Sequence, residues 1–378
     1  MKATRLLSVP RVLPLLLLLA ALQLSGCATS SRLRPRDVQS IAGKTFVITG
    51  ASSGFGRGVA VKLASHGANV VLAARRTELL EEVAAEARAA GGTPLVVTTD
   101  VSKPEDIQKL AAATIARFGR IDVWINNAGV GAIGRFEDIP IEDHSRLIDI
   151  NLKGVIYGSH AAMRQFRAQG GGTLVNIGSI DSEVPLAYQG SYSASKAGVL
   201  SLGRVLNEEI RLSGVKTIKV ATVMPWAADT PWWPHAANYS GGTPRMVAMD
   251  DPRKVVNAIV WVSLHPREEL SVGWKAKASY VSHRIFPDLT ERISGNIAHK
   301  WQIETAPPAP PTAGTLHEPM QSGRTVDGGV RERMKKEDAA RKRKQQEHEQ
   351  KHEKDDSPTP PPTTPPQTPP PPPQKSMR

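Results

Sequence analysis

Residues 45–56, Thr-Phe-Val-Ile-Thr-Gly-Ala-Ser-Ser-Gly-Phe-Gly, pass from a short apolar, β-branched run into a glycine-rich turn. Thr45–Thr49 reads as a buried parallel strand, because its apolar residues run on without polar alternation. After the turn comes the helical run Val59–Ser65, stopped by Gly67, a residue type that closes helices without a Cβ penalty. Strand, glycine turn and helix in that order present backbone N–H groups and a helix N-terminus to an anion, so a phosphate is the expected ligand. The glycines fall as Thr-Gly-x-x-x-Gly-x-Gly across Thr49, Gly50, Gly54 and Gly56. That spacing differs from the Gly-x-Gly-x-x-Gly of the general dinucleotide fingerprint.

The same alternation continues in both directions along 41–302. Strands are expected at Asn69–Ala73, Pro94–Thr98, Ile121–Ile125, Thr173–Ile177, Ile218–Val223 and Leu270–Trp274. Helices are expected at Thr77–Ala90, from Pro104 to Phe118, over 142–169, at Tyr192–Leu212, after Asp251-Pro252 and at Ile285–Trp301. This predicts an α/β fold with a doubly wound, mostly parallel sheet of the Rossmann kind, its ligands gathered beyond the C-terminal strand ends. Arg75 stands just past the second strand. A carboxylate there would hold the ribose hydroxyls of NAD, whereas an arginine meets a 2′-phosphate, so NADP(H) is expected over NAD(H). Ser179 follows the fifth strand, and Tyr192 and Lys196 lie at i and i+4 on the next helix. An ammonium beside a phenol favours the phenolate and suits Tyr192 to acid–base work. A serine hydroxyl at the strand end is placed to polarise a carbonyl as negative charge develops.

Four separated motifs, namely the glycine turn, Asn126-Asn127-Ala128-Gly129, Ser179 and Tyr192-x-x-x-Lys196, resemble the short-chain dehydrogenase/reductase family across nearly all of 41–302. The resemblance implies reversible hydride transfer between NADP(H) and a carbonyl or secondary alcohol. Tyr192 would be the general acid/base, Lys196 would lower its pKa and hold the cofactor ribose, Ser179 would orient the substrate oxygen, and Asn151 would support a proton relay. Cofactor contacts are implied for Gly50, Ser52, Ser53, Gly54, Phe55, Gly56, Arg75, Asp100, Asn127, Ala128, Gly129, Tyr192, Lys196, Pro225 and Thr230. Relatives are often dimers or tetramers, so a homo-oligomer is implied. The chain departs from the family at Pro225-Trp226, where Pro-Gly is usual. Trp226 is expected to line the substrate side near Trp232, shaping a pocket for a small apolar carbonyl compound or alcohol, or else to pack into the core. The long loop holding Trp232 and Trp233 suits a lid, and equally a surface facing a membrane or partner. A second functional reading is an envelope-tethered NADP(H)-binding protein with weak or no turnover.

The two ends read differently. Lys2, Arg5 and Arg11 precede the apolar run Val12–Leu24, which ends at Leu24-Ser25-Gly26-Cys27. This resembles a bacterial lipobox and predicts a signal peptide over 1–27, lipid on Cys27, and a tether over 28–42. The expected location is a bacterial envelope membrane, with an uncleaved leader on the cytoplasmic face as the other possibility. Cys27 is the only cysteine, so no intramolecular disulfide forms. Beyond a domain spanning 43–302, residues 303–378 are rich in proline and charge and are expected to be largely disordered, with 331–356 able to form a solvated helix and 316–330 able to drape over the domain. The net charge of +12 is concentrated at the ends, since only 29 basic and 24 acidic residues lie within 41–302. The domain is therefore not a basic nucleic-acid binder. The sequence carries no metal-site spacing.

Overall fold

The computed structural model describes residues 33–355. Seven strands form one sheet: β1 Thr45–Thr49, β2 Asn69–Ala74, β3 Thr93–Thr98, β4 Val123–Asn126, β5 Gly172–Ile177, β6 Ile218–Pro225 and β7 Glu269–Val272. Every pairing is parallel, in the order β3-β2-β1-β4-β5-β6-β7. The chain winds outward from β1 to β3, then returns to β4 beside β1. That reversal opens a crevice at the C-terminal ends of β1 and β4, where α/β sheets bind ligands.

Both faces of the sheet are covered, which explains why the central strands are apolar throughout. Phe46 and Ile48 enter a core with Leu63, Leu72, Leu80 and Ile259. Val47, between them, enters the opposite core with Val71, Trp124, Phe166 and Leu174. This is the two-residue alternation of a strand dividing one stretch between two cores. The helices α1 Gly54–Ala64, α2 Thr77–Ala89, α3 Pro104–Phe118, α4 Ile141–Ile148, α5 Gly154–Gln169, α6 Gly190–Leu212 and α7 Pro252–Leu264 supply the outer layers.

Three expectations need correction. The helical stretch over 142–169 is two helices joined by a π-helical turn, Asp149–Lys153, that carries Asn151. The last strand stops at Val272. Gly273, at φ +85°, turns the chain into helix α8 Gly273–Ile285, and Trp274 stands 76% exposed on it. A second helix, α9 Pro287–Ala298, follows. The break comes at Pro287, whose ring bars the preceding residue from helical geometry.

The packed unit is also longer than 43–302 at both ends. Pro35–Gln39 forms a short helix, Ile41 is fully buried, and buried Asp37 meets His265 at 3.1 Å. At the other end the packed unit reaches Arg331. Helix α10 Val330–Asp355 carries the charged run, as its composition anticipates. Among the described residues no helix is long and apolar enough to cross a membrane. Cys27, the apolar leader, the start of the tether and the Pro/Thr run lie outside the described residues.

Candidate active site

One cavity at the C-terminal strand ends is lined by every expected site residue within the described range except Gly56 and Asn151. Helix α6 places Tyr192 and Lys196 one turn apart on the face toward β5. Lys196 is 4% exposed, donates from Nζ to the Ile177 carbonyl at 2.8 Å, and stands 5.7 Å from the Tyr192 ring centroid. Ser179 caps the short turn Ile180–Ser182, its hydroxyl accepting the Asp181 N–H at 3.1 Å. The same hydroxyl faces the Tyr192 phenol and the Asp181 carboxyl.

The electrostatics differ from the simple expectation that Lys196 lowers the tyrosine pKa. Burial, reinforced by the charge of Asp181, pushes the Tyr192 phenol above its ordinary value, and the Ser179 hydroxyl only partly opposes this. Burial also brings Lys196 down to about 8, against the pull of Asp181. Desolvation outweighs the pairing because the Lys196 ammonium is turned to the Ile177 carbonyl. Asp181 was not singled out from the sequence. Burial raises its carboxyl to about 7, with Ser179 and then Lys196 pulling the other way. The available signal was an acid two places beyond the strand-end serine.

Asn151 is fully buried and tied in both directions to Val130: its Oδ1 accepts the Val130 N–H at 2.8 Å and its Nδ2 donates to the Val130 carbonyl at 2.9 Å. It also reaches Ser195 Oγ at 3.3 Å. A Cβ at Gly129 would sit 3.5 Å from both Asn151 Oδ1 and Lys196 Nζ, so these two side chains flank the glycine.

The cofactor side is a cradle of small residues. A Cβ at Gly56 would stand 2.3 Å from the Gly50 carbonyl oxygen, so only glycine lets α1 abut the turn this closely. Thr49 Oγ1 accepts the N–H groups of Asn127 and Ala128 at 3.0 and 3.1 Å, and Asn127 Nδ2 donates to the Thr49 carbonyl at 2.9 Å. Asn126 donates to Asn176 Oδ1 at 2.9 Å and ties β4 to β5. These bonds clamp the two edges of the crevice, and the narrow gap fits a dinucleotide backbone. Phe55 packs its ring on the core beside the turn. Thr230 is buried next to Gly54, and Pro225 ends β6 at the cavity wall. Asp100 is opposed by burial, yet Ser102 and Arg146 hold its carboxyl below the usual range; Arg146 Nη2 lies 2.8 Å away.

Two arginines follow β2, and their placement revises the emphasis on Arg75. Arg75 spends its guanidinium on the carbonyls of Thr315, Leu316 and His317, at 2.5, 3.3 and 3.1 Å. Arg76 instead reaches the glycine turn, donating to Ser52 Oγ at 2.9 Å and Ser53 Oγ at 2.8 Å, and also to the Met320 and Ser322 carbonyls. Residues 313–331 thus form a strap over this end of the crevice. The Thr325 carbonyl accepts the Gly54 N–H at 2.9 Å, and the Asp229 carboxylate anchors the strap by accepting the N–H groups of Val330 and Arg331 at 2.7 and 3.0 Å. Among the described residues, the amides of Phe55 and Gly56 in the first helical turn have no hydrogen-bond acceptor.

On the substrate side, Trp226 lines the cavity and also packs on Ile180, Val184 and Ala276, with its indole N–H on the Ala248 carbonyl at 3.2 Å. The indole thus borders the cavity while packing against a small buried cluster. Trp232 stands 5.2 Å from the Tyr192 ring and edge-on to buried Trp233.

The family model described as "short chain dehydrogenase" matches residues 44–238. An uncharacterized oxidoreductase, YxnA, of Bacillus subtilis is 32% identical over 296 residues, covering 77% of this chain and 83% of its own. The uncharacterized oxidoreductase Lin0452 of Listeria innocua is 38% identical over 192 residues, 50% of this chain and 76% of its own. Among solved structures, an alcohol dehydrogenase from Thermococcus sibiricus complexed with 5-hydroxy-NADP superposes with a TM-score of 0.53 at 27% identity, covering 61% of this chain and 95% of that one. The 3-ketoacyl-(acyl-carrier-protein) reductase from Brucella melitensis, complexed with NADH, gives 0.54 at 28% identity, covering 61% and 97%. By the family match over residues 44–238 and the YxnA similarity, the chain belongs to the short-chain dehydrogenase family and is an oxidoreductase that binds a nicotinamide dinucleotide.

Proposed function

We propose that the protein reduces the carbonyl group of small, largely apolar compounds, with NADP(H) as its preferred cofactor. The convergence of Ser179, Tyr192 and Lys196 on one apolar cavity carries this reading. When bound, the nicotinamide supplies the hydride. Ser179 donates a hydrogen bond to the carbonyl oxygen, and Tyr192 gives its phenolic proton to that oxygen as its basicity rises. Burial favours the protonated phenol, the form that donates to the carbonyl oxygen. Lys196 holds the ribose and, with Asn151 behind Gly129, feeds the proton back. The test is NADPH oxidation over a panel of apolar ketones. Turnover supports the reading, whereas tight NADPH binding with no turnover would favour a binding protein.

The cofactor preference rests on Arg76 with Ser52 and Ser53, a cluster of donors suited to a 2′-phosphate. Arg76→Ala should weaken NADPH by roughly 10- to 100-fold, as loss of a charge-assisted contact does, and leave NADH within a few-fold. Arg75→Ala should act less selectively, because its fork is directed to strap carbonyls and not to the serines of the glycine turn. Titration of both cofactors decides; equal losses for NADPH and NADH in Arg76→Ala would remove the arginine from phosphate recognition.

We also propose attachment to a membrane by lipid on Cys27. Cys27→Ser should leave an unprocessed precursor or shift the protein to the soluble fraction, and an intact mass showing unmodified Cys27 on a chain retaining Met1 would exclude lipidation.

A further inference from the structure

Among the described residues, Asp181 has no ion-pair partner in contact with it, and the nearby Lys196 ammonium acts on it only through space. It is 9% exposed, lines the cavity, and sits on a turn fixed by the Ser179 cap. Among the described residues no lysine, arginine or histidine forms an ion pair with it. Ser179, Tyr192 and Lys196 are the polar groups it faces. The rest of its surroundings is apolar: Ile180, Val184, Leu186, Trp226 and Met246 line the same cavity. Burying a carboxylate without a cation in direct contact is costly, and an apolar residue in the same turn would avoid that cost.

The position also works against the chemistry of a neutral substrate. Negative charge grows on the carbonyl oxygen beside Ser179 and Tyr192, and an ionised carboxylate next to them opposes it. A positive charge on the substrate removes the conflict. It pairs with Asp181 and leaves the developing oxyanion beside a cation.

We propose that Asp181 is a recognition carboxylate for a protonated amine on the substrate, so that the enzyme acts on amino ketones and amino alcohols with otherwise apolar frames. The inference rests on the carbonyl-reductase reading above and deepens it. Lys196 attracts the carboxylate without contacting it, since its ammonium donates to the Ile177 carbonyl and forms no ion pair with Asp181.

The experiment compares β-aminopropiophenone with butyrophenone, which differ by an ammonium in place of a methyl, using the full-length wild type with NADPH and NADH. The amine should be favoured in kcat/KM by about 10- to 100-fold, the range of a hydrogen bond between charged groups. Asp181→Asn should bring the two within a few-fold, and Asp181→Leu should reverse the order. A wild type that reduces butyrophenone as well as or better than the amine overturns the proposal while leaving carbonyl reduction standing. Turnover of neither ketone with either cofactor overturns both. Since the decisive comparison is made on the wild type, a variant that fails to fold leaves it intact.

Discussion

Tyr192→Phe should lower kcat by roughly 10²- to 10⁴-fold, the usual contribution of a positioned proton donor, while NADPH affinity stays within a few-fold. The argument is geometric. The phenol is the group on α6 that shares the Ser179 hydroxyl, and Trp232 walls its other side. Removing the oxygen leaves the ring, its packing and the Lys196 contact with Ile177 in place, so folding and cofactor binding are spared. Single-turnover kinetics with a saturating ketone measures the chemical step directly. Residual turnover within a few-fold of wild type would take Tyr192 out of the mechanism. A parallel loss of NADPH binding would instead mean that the phenol holds the cofactor.

Asp181→Asn should stabilise the ligand-free protein at alkaline pH. Burial raises the carboxyl to about 7 in the folded state, well above the ordinary aspartate value of about 4. The folded state therefore holds a proton that the unfolded chain has already released between those values, and stability falls as pH rises through 7. The full penalty is on the order of 4 kcal/mol above pH 7 and absent below pH 4. Asparagine removes it, although part is returned because Asp181 also supports the charge on Lys196. The variant should thus melt several degrees above wild type at pH 8 and close to it at pH 4. Equal melting temperatures at pH 8, or a variant less stable there, would mean that the carboxylate is compensated in the folded state.

Much of this architecture was legible because the physics is local. A continuous apolar run ending in Gly50, a β-branched stretch before Ser179, and Tyr192 four residues from Lys196 each declare a strand, a turn or a helix face without distant information. Asn151 was legible through the family resemblance, whereas the π-helical turn that carries it was not. Long-range contacts were not legible. Nothing around Arg75 and Arg76 indicates which of the two faces the glycine turn, since the choice is made by carbonyls about 240 residues away. The strap was hard to see for the same reason. It packs through backbone carbonyls and glycines, and so lacks the apolar periodicity that marks a core element. Asp181 carries no local sign of its burial, which depends on distant residues packed over the turn, and the apolar residues on both sides of Phe286-Pro287 mask the break there.

The strap has a further consequence, which concerns the order of synthesis. All seven strands are complete once Val272 has been made, so the sheet and its crevice can form while residues 313–331 are still to be added. At that stage the Arg75 and Arg76 guanidinium groups lack their carbonyl partners and the Gly54 amide is free. A dinucleotide that arrives during translation meets an open trough. One that arrives after release meets those groups already bonded to the strap.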